Sequence, residues 1–327
     1  MLKKMLAGLA VTAIGVTTAL PVSASSFPTR PMTMIVGVAP GGTLDTLARL
    51  LATAMSADLG QNVIVENTVG AGGLVGYKKL MDAAPDGYTL MFTNMSLVII
   101  PQMHKSAGLN PSKDLDSISQ VATVPMVLAV SQKSGFQNLS QMLTFMKANP
   151  GSVNLGSGGP GTTSHLAEAL FLNQAGVDGL LVQYRGSGPA IVDVIAGNIE
   201  AIIDQTVTLM DLHRGEKLRA IAISSKERIP QMPNVPTFAE GGLPQFDLQI
   251  WNGVMAPKGL PADISARLVN AISKAIDSPA FKQRLISLAA QAPAPQERGS
   301  APLQKIIERD SAMVEKLAKE AGLLAGN

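Results

Sequence analysis

Apolar residues fall along this chain in short runs and helical stripes that take turns, beginning at residue 32. Met32–Val38 is apolar with little polar alternation, the pattern of a strand covered on both faces. Pro40-Gly41-Gly42 interrupts it. Thr43 then stands where a helix N-cap belongs, and Leu44, Leu47, Ala48, Leu51 and Met55 recur at helical spacing to mark one buried face. The product is a helix N-terminus with free N–H groups set among glycine and a hydroxyl, an arrangement that favours an anion.

The same grammar repeats downstream. Asn62–Glu66 reads as a strand, Gly70-Ala71-Gly72-Gly73 as a turn, Tyr77–Ala83 as a helix, and Tyr88–Thr93 as a third strand ending at Asn94. This β-α-β-α-β order implies parallel strands with right-handed crossovers. Ser117–Val130 reads as a long strand, split by Pro125, that leaves one lobe for another. There the pattern resumes: a helix around Leu139–Met146, a strand at Val153–Gly156, a glycine-rich turn, and a helix to about Ala175. A strand at Leu180–Tyr184 leads to a helix opened by Gly186-Ser187-Gly188-Pro189, then to strands at Glu200–Asp204 and Leu218–Ser224. Phe246–Met255, carrying the single Trp, is a strand running back, and the tail is helical from Pro261 onward. Two passages between the halves place one lobe inside the sequence of the other: residues 25–124 and 247–327 form lobe I, and residues 125–246 form lobe II. Ligands of such sheets sit beyond the C-terminal strand ends, so loops of both lobes would line one cleft.

Composition narrows the function. The chain has 327 residues, 46% of them hydrophobic and 15% charged, so a disordered chain is excluded and two cored domains fit. Lys3-Lys4, the uncharged stretch Met5–Leu20 and the small residues ending at Ala24 form a secretory leader, residues 1–24, cleaved after Ala24. Its removal takes the formal charge from +2 to neutral. Neutrality and few aromatics argue against a nucleic-acid partner or an anionic membrane surface. The absence of cysteine excludes disulfide and thiol chemistry.

The motifs point to binding rather than to turnover. Gly156-Ser157-Gly158-Gly159-Pro160-Gly161 fits GxGxxG between a strand and a helix, which opens the alternative of a dinucleotide-dependent oxidoreductase. The following strand ends at Gln183-Tyr184 with no acid for a ribose, so a small-anion loop with Ser157, Thr162 and Thr163 hydroxyls is the better reading. No GxxxxGK[ST], HExxH or GxSxG occurs. No catalytic residue, metal site or cofactor is assigned. His165 either faces the cleft or caps and packs its helix. Asp45 either meets the macrodipole of its own helix or pairs with a ligand ammonium. Arg185 either clamps a carboxylate or is a solvated surface cation. Asp204 ends a strand and so stands as a candidate for the cleft.

These residues resemble the substrate-binding proteins of the tripartite tricarboxylate transporter group, the Bug-type receptors. The resemblance runs through seven ordered blocks: Ala39–Ala52, Val65–Gly73, Ala84–Leu90, Gly156–Ala167, Gln183–Glu200, Gly215–Gly242 and Trp251–Pro261. It implies an α/β fold of two Rossmann-like lobes joined by two crossover strands, the type II or Venus-flytrap periplasmic binding architecture, with no catalysis of its own. It implies a small carboxylate ligand: a di- or tricarboxylate, an acidic amino acid or an aromatic acid. The family's ligand-holding loops map onto Gly41, Gly42 and Thr43 in one lobe and Ser157, Gly158, Gly161, Thr162 and Thr163 in the other, with Asn94 and Asp204 as weaker matches. Val38 stands where the family often carries an aromatic over the ligand, and Val69 where it often carries proline. The expected setting is the periplasm, as a monomer working with large and small membrane subunits of a transporter or with a membrane sensor kinase.

Overall fold

The computed structural model describes residues 27–323. The expected leader, residues 1–24, lies outside them. In chain order the first part contains β1 (Met32–Val36), α1 (Thr43–Leu59), β2 (Val63–Asn67), α2 (Leu74–Met81), β3 (Thr89–Asn94), α3 (Ser96–Met103) and α4 (Pro111–Asp114), followed by the long strand β4 (Leu115–Ser131). The middle contains α5 (Leu139–Ala148), β5 (Asn154–Ser157), α6 (Thr163–Ala175), β6 (Leu180–Gln183), α7 (Ser187–Ala196), β7 (Ala201–Gln205), α8 (Thr206–Arg214) and β8 (Leu218–Ile223). The end contains β9 (Gln249–Pro257), α9 (Ala262–Asp277), α10 (Pro279–Ser287) and α11 (Ser300–Glu320).

The strands run in the order β2-β1-β3-β9-β4-β7-β5-β6, with β8 on the other flank of β4. β1 pairs in parallel with β2 and β3, as the crossover order requires, while β9 enters antiparallel between β3 and β4. β4 serves both lobes. Its residues Leu115–Pro125 pair with β9, and Met126–Ser131 pair with β7 and β8. The change of partner falls next to Pro125, a residue with no N–H to give a ladder. Ser224 clasps the two crossings: its hydroxyl accepts the Met126 amide at 2.8 Å and donates to the Leu248 carbonyl at 2.6 Å.

The apolar core divides by sheet face rather than by lobe. On one face α1, α7, α8, α9 and α10 pack through residues such as Leu47, Leu51, Val194, Met210, Ile272 and Phe281. On the other, α2, α3, α5, α6 and α11 pack through Tyr77, Ile99, Met142, Phe171 and Ile307. The α1 stripe is buried as its spacing demands. Trp251 donates from its indole to Asp310 of α11 at 2.9 Å, which fixes the returning strand against the tail. Among the described residues no helix is long and apolar enough to cross a membrane.

Two details differ from the sequence expectation. Helices α3, α4 and α8 were not anticipated. Thr43 is the first residue of α1 rather than its N-cap, because extended Gly42 (φ −85°, ψ 177°) occupies the cap position.

Candidate functional site

Five helices direct their N-terminal ends at one space beyond the strand ends. α1 contributes Gly42, Thr43 and Leu44; α3 contributes Ser96, behind Asn94; α6 contributes Thr162 and Thr163; α7 contributes Gly186 and Ser187; Asp204 and Gln205 lead into α8. Val38 completes the wall. The space is about 30 Å³, room for a water or two.

The helix ends differ in what already occupies them. The Asn94 side chain accepts the Ser96 amide at 2.9 Å, and Thr162 accepts the His165 amide at 3.4 Å. The N-caps of α1, α7 and α8, namely Gly42, Gly186 and Gln205, supply no side-chain acceptor. The hydroxyl of Thr43, a residue 4% exposed, has no partner among the described residues. Unfilled donors at helix N-termini carry the positive end of each macrodipole, so the space suits an anion.

One acid sits in this wall. Asp204 is 2% exposed and accepts the Thr208 hydroxyl at 3.0 Å. Burial pushes its carboxyl up to about 6, against the Gln205 amide and the Ser187 and Thr208 hydroxyls, which pull the other way. Behind it, fully buried Glu168 accepts the Ile203 amide at 3.1 Å, and burial, with the Asp204 charge adding to it, drives its carboxyl well above the usual range. Burial also lowers His165, whose Nδ1 has no partner among the described residues. Among the described residues no three His, Asp or Glu side chains gather as a metal-ligand set.

Glycines let the lobes meet. The Ala39 amide donates across the cleft to the Arg185 carbonyl at 2.9 Å. A Cβ on Gly188 would stand 2.3 Å from the Pro40 carbonyl oxygen, and one on Gly72 would stand 1.8 Å from the Pro160 carbonyl oxygen. Backbone approaches this close admit only glycine.

Of the residues singled out in the sequence, Val38, Gly42, Thr43, Asn94, Thr162, Thr163 and Asp204 come together around the inner space. Gly158 lines a second, outer cavity. Gly41, Asp45, Ser157, Gly161 and His165 line neither. The Asp45 carboxylate is committed to its own loop, accepting the Gly41 amide at 3.1 Å, Asn67 at 3.0 Å and Arg49 at 2.8 Å. Burial raises its carboxyl, but those three partners outweigh burial and hold it below the usual range. The Ser157 hydroxyl faces the Gln183 side chain and the Gly159 amide, both at 3.2 Å. Gly161 packs on Ile100 of the opposite lobe.

Leu44, Ser96, Gly186, Ser187 and Gln205 were missed. The helix start at Gly186–Pro189 was legible, but its facing the other lobe was not.

The dinucleotide alternative fails on geometry. The Gly158 amide is taken by Ser164 Oγ at 2.8 Å, the Gly159 amide by Ser157 Oγ, and the Thr162 amide by the Gly159 carbonyl at 3.1 Å. A pyrophosphate would need those same donors, and Gly72 of the other lobe closes on the Pro160 carbonyl.

Comparison with known proteins agrees. The tripartite tricarboxylate transporter family receptor profile (TctC) matches residues 47–323. BugT of Bordetella pertussis is 38% identical over 264 residues, 80% of this chain and 81% of that one. The solved periplasmic binding protein BugD superposes with a TM-score of 0.86 at 31% identity, over 91% of this chain and 99% of that one. MatC from Rhodopseudomonas palustris, solved with bound malate, superposes with a TM-score of 0.85 at 31% identity, over 89% and 99% of the two chains.

Proposed function

The chain belongs to the tripartite tricarboxylate transporter receptor family, a family of binding proteins rather than enzymes, and from that premise we propose that it captures a small carboxylate in its interlobe cleft. The carrying observation is the convergence of five helix N-termini, from both lobes, on one space. A carboxylate there meets amides and hydroxyls whose partial charges it needs, and it holds both lobes at once, so binding and closure are one event.

The magnitudes suffice. A partly buried helix terminus contributes up to about 2 kcal/mol, and hydrogen bonds to a charged group contribute about 1.5–3 kcal/mol each. A few of these, less the ordering terms, reach the roughly −8 kcal/mol of micromolar binding. The relative MatC, with malate bound, supports a di- or tricarboxylate; acidic amino acids and aromatic acids belong to the same class of guest. The reading places the mature chain in the periplasm after cleavage at Ala24, as a monomer whose closed form is presented to the large and small membrane subunits of a transporter or to a sensor kinase.

Calorimetric titration of protein freed of prebound ligand, against mono-, di- and tricarboxylates, tests this. At least one carboxylate is expected to bind in the micromolar range and to raise the melting temperature. Silence across the panel from folded protein overturns the reading.

A further inference from the structure

Three amide side chains from separate strands stand together at the inner space. Asn94 ends β3 and lines the space. Asn252 of β9 is directly opposite it in the antiparallel pair, so both side chains leave the same face of the sheet. Gln205 ends β7, precedes α8 and lines the space. Its side chain does not cap that helix. Its Oε1 instead accepts Asn252 Nδ2 at 2.9 Å, from 47 residues away in sequence.

A third group settles the direction of that bond. The same Asn252 Nδ2 donates to the Ile250 carbonyl at 3.1 Å, and a carbonyl can only accept. Turning the Asn252 amide over would set its oxygen against that carbonyl. The amino group therefore faces Ile250 and Gln205, and Gln205 must meet it with oxygen. The bond to Asn252 is the one that the Gln205 side chain makes among the described residues, so Nε2 keeps both N–H donors for an occupant of the space. Asn252 is fully buried, and its Oδ1 has no partner among the described residues. A buried amide that leaves its own acceptor unmet stands there for what it orients, not for the stability it adds.

We propose that Gln205 contacts the guest, its Nε2 donating to the bound carboxylate, and that Asn252, which does not line the space, is the positioning residue that keeps this donor turned toward the guest. A glutamine amide can present either end, and the wrong end would set oxygen against oxygen. Asn252 removes the choice. The returning strand β9 thereby takes part in recognition without touching the guest. This rests on the carboxylate-receptor reading above and adds to it one contact and the residue that orients it.

The test uses the full mature chain, stripped of prebound ligand, in calorimetric titration with acetate, benzoate, malate, glutamate and citrate; the one that binds the wild type most tightly is the probe. Gln205→Met removes the donor and lowers affinity at least fivefold. Gln205→Glu keeps the shape and the bond from Asn252 but puts an oxygen where the donor was, and at pH 8 it lowers affinity further than Gln205→Met. Asn252→Ala lowers affinity at least fivefold in the wild type and less than twofold in Gln205→Met, whereas a merely structural Asn252 would weaken both backgrounds equally. Should Asn252→Ala fail to fold, Asn252→Ser, too short to reach Gln205, takes its place in the same cycle, and the comparison of Gln205→Glu with Gln205→Met decides the donor by itself. Full affinity in Gln205→Met, wild-type affinity in Gln205→Glu, or equal losses from the Asn252 variant in both backgrounds overturns the proposal. If none of the five binds the wild type, the receptor reading has failed and this assignment falls with it.

Discussion

Replacing Gly188 by alanine separates closure from folding. Gly188 is the second residue of α7, and its backbone is not in the left-handed region, so the helix itself accepts alanine and gains up to about 1 kcal/mol from it. The obstacle lies in the other lobe. The new methyl would stand 2.3 Å from the Pro40 carbonyl oxygen and 3.4 Å from Gly41, where ordinary contact begins at 3.4 Å. The lobes must then part by roughly 1 Å at this point, an overpacking penalty of about 1–3 kcal/mol that falls on the closed state alone. The Ala39–Arg185 hydrogen bond, 2.9 Å long, stretches with it. Ligand affinity is expected to fall about five- to 150-fold, while the melting temperature without ligand holds or rises. Calorimetry gives the first quantity, thermal melts the second, and small-angle scattering with saturating ligand reports a larger radius of gyration than the wild type. Unchanged affinity with unchanged compaction would show that the glycine seam plays no part in closing on the guest.

Three further outcomes follow from the same site. Asp204, at about 6, must take up a proton before a carboxylate can settle beside it, so affinity should weaken by up to about tenfold per pH unit above pH 6; Asp204→Asn flattens that profile, and a wild-type affinity that rises with pH contradicts the assignment. In the ligand-free protein the same raised carboxyl means that folding binds a proton between the ordinary aspartate value of 3.8 and about 6, so its contribution to stability is present at low pH and is lost as pH rises through that window. Glu168, raised well above its ordinary range, acts in the same direction, and Glu168→Gln keeps an acceptor for the Ile203 amide without a charge to bury; urea melts should show the variant stabilised relative to wild type at pH 8 and the gain shrinking toward pH 4, whereas equal midpoints at pH 8 would deny the buried acid its effect. Thr163→Val removes a hydroxyl from the cavity wall and should weaken binding by about 0.5–3 kcal/mol with circular dichroism unchanged; full affinity in the variant removes Thr163 from the site.

What the sequence disclosed, and what it hid, has a physical pattern. β1 and α1 were legible because one is apolar on both faces and the other carries a clear stripe. β4 and β9 were legible as crossings because an apolar run too long for one small sheet contained Pro125, and because a late strand needed somewhere to return. α3 was hidden because Leu97, Val98, Ile99 and Ile100 are all buried, which erases any stripe, and because Pro101 stands inside it. That loss concealed Ser96 as a wall residue. Ser187 and Gln205 were hidden for a different reason: each stands at the start of a helix in the middle of the chain, and nothing local records that this start faces Gly42 and Thr43, far away in sequence. The glycines illustrate the same limit. Gly41, Gly42, Gly158 and Gly161 read as anion-loop residues, whereas Gly72, Gly186 and Gly188 matter for contacts between residues far apart in sequence. Asp45 was open between two roles; its carboxylate is spent on Gly41, Asn67 and Arg49.

The most direct measurement is a crystal structure of the mature protein with the tightest-binding carboxylate of the titration panel. The expected result is a carboxylate group within about 3 Å of amides or hydroxyls at the starts of α1, α6 or α7, with both lobes closed on it. A carboxylate bound on an outer face, with the space between Thr43, Thr163 and Asp204 left empty, would contradict the central claim.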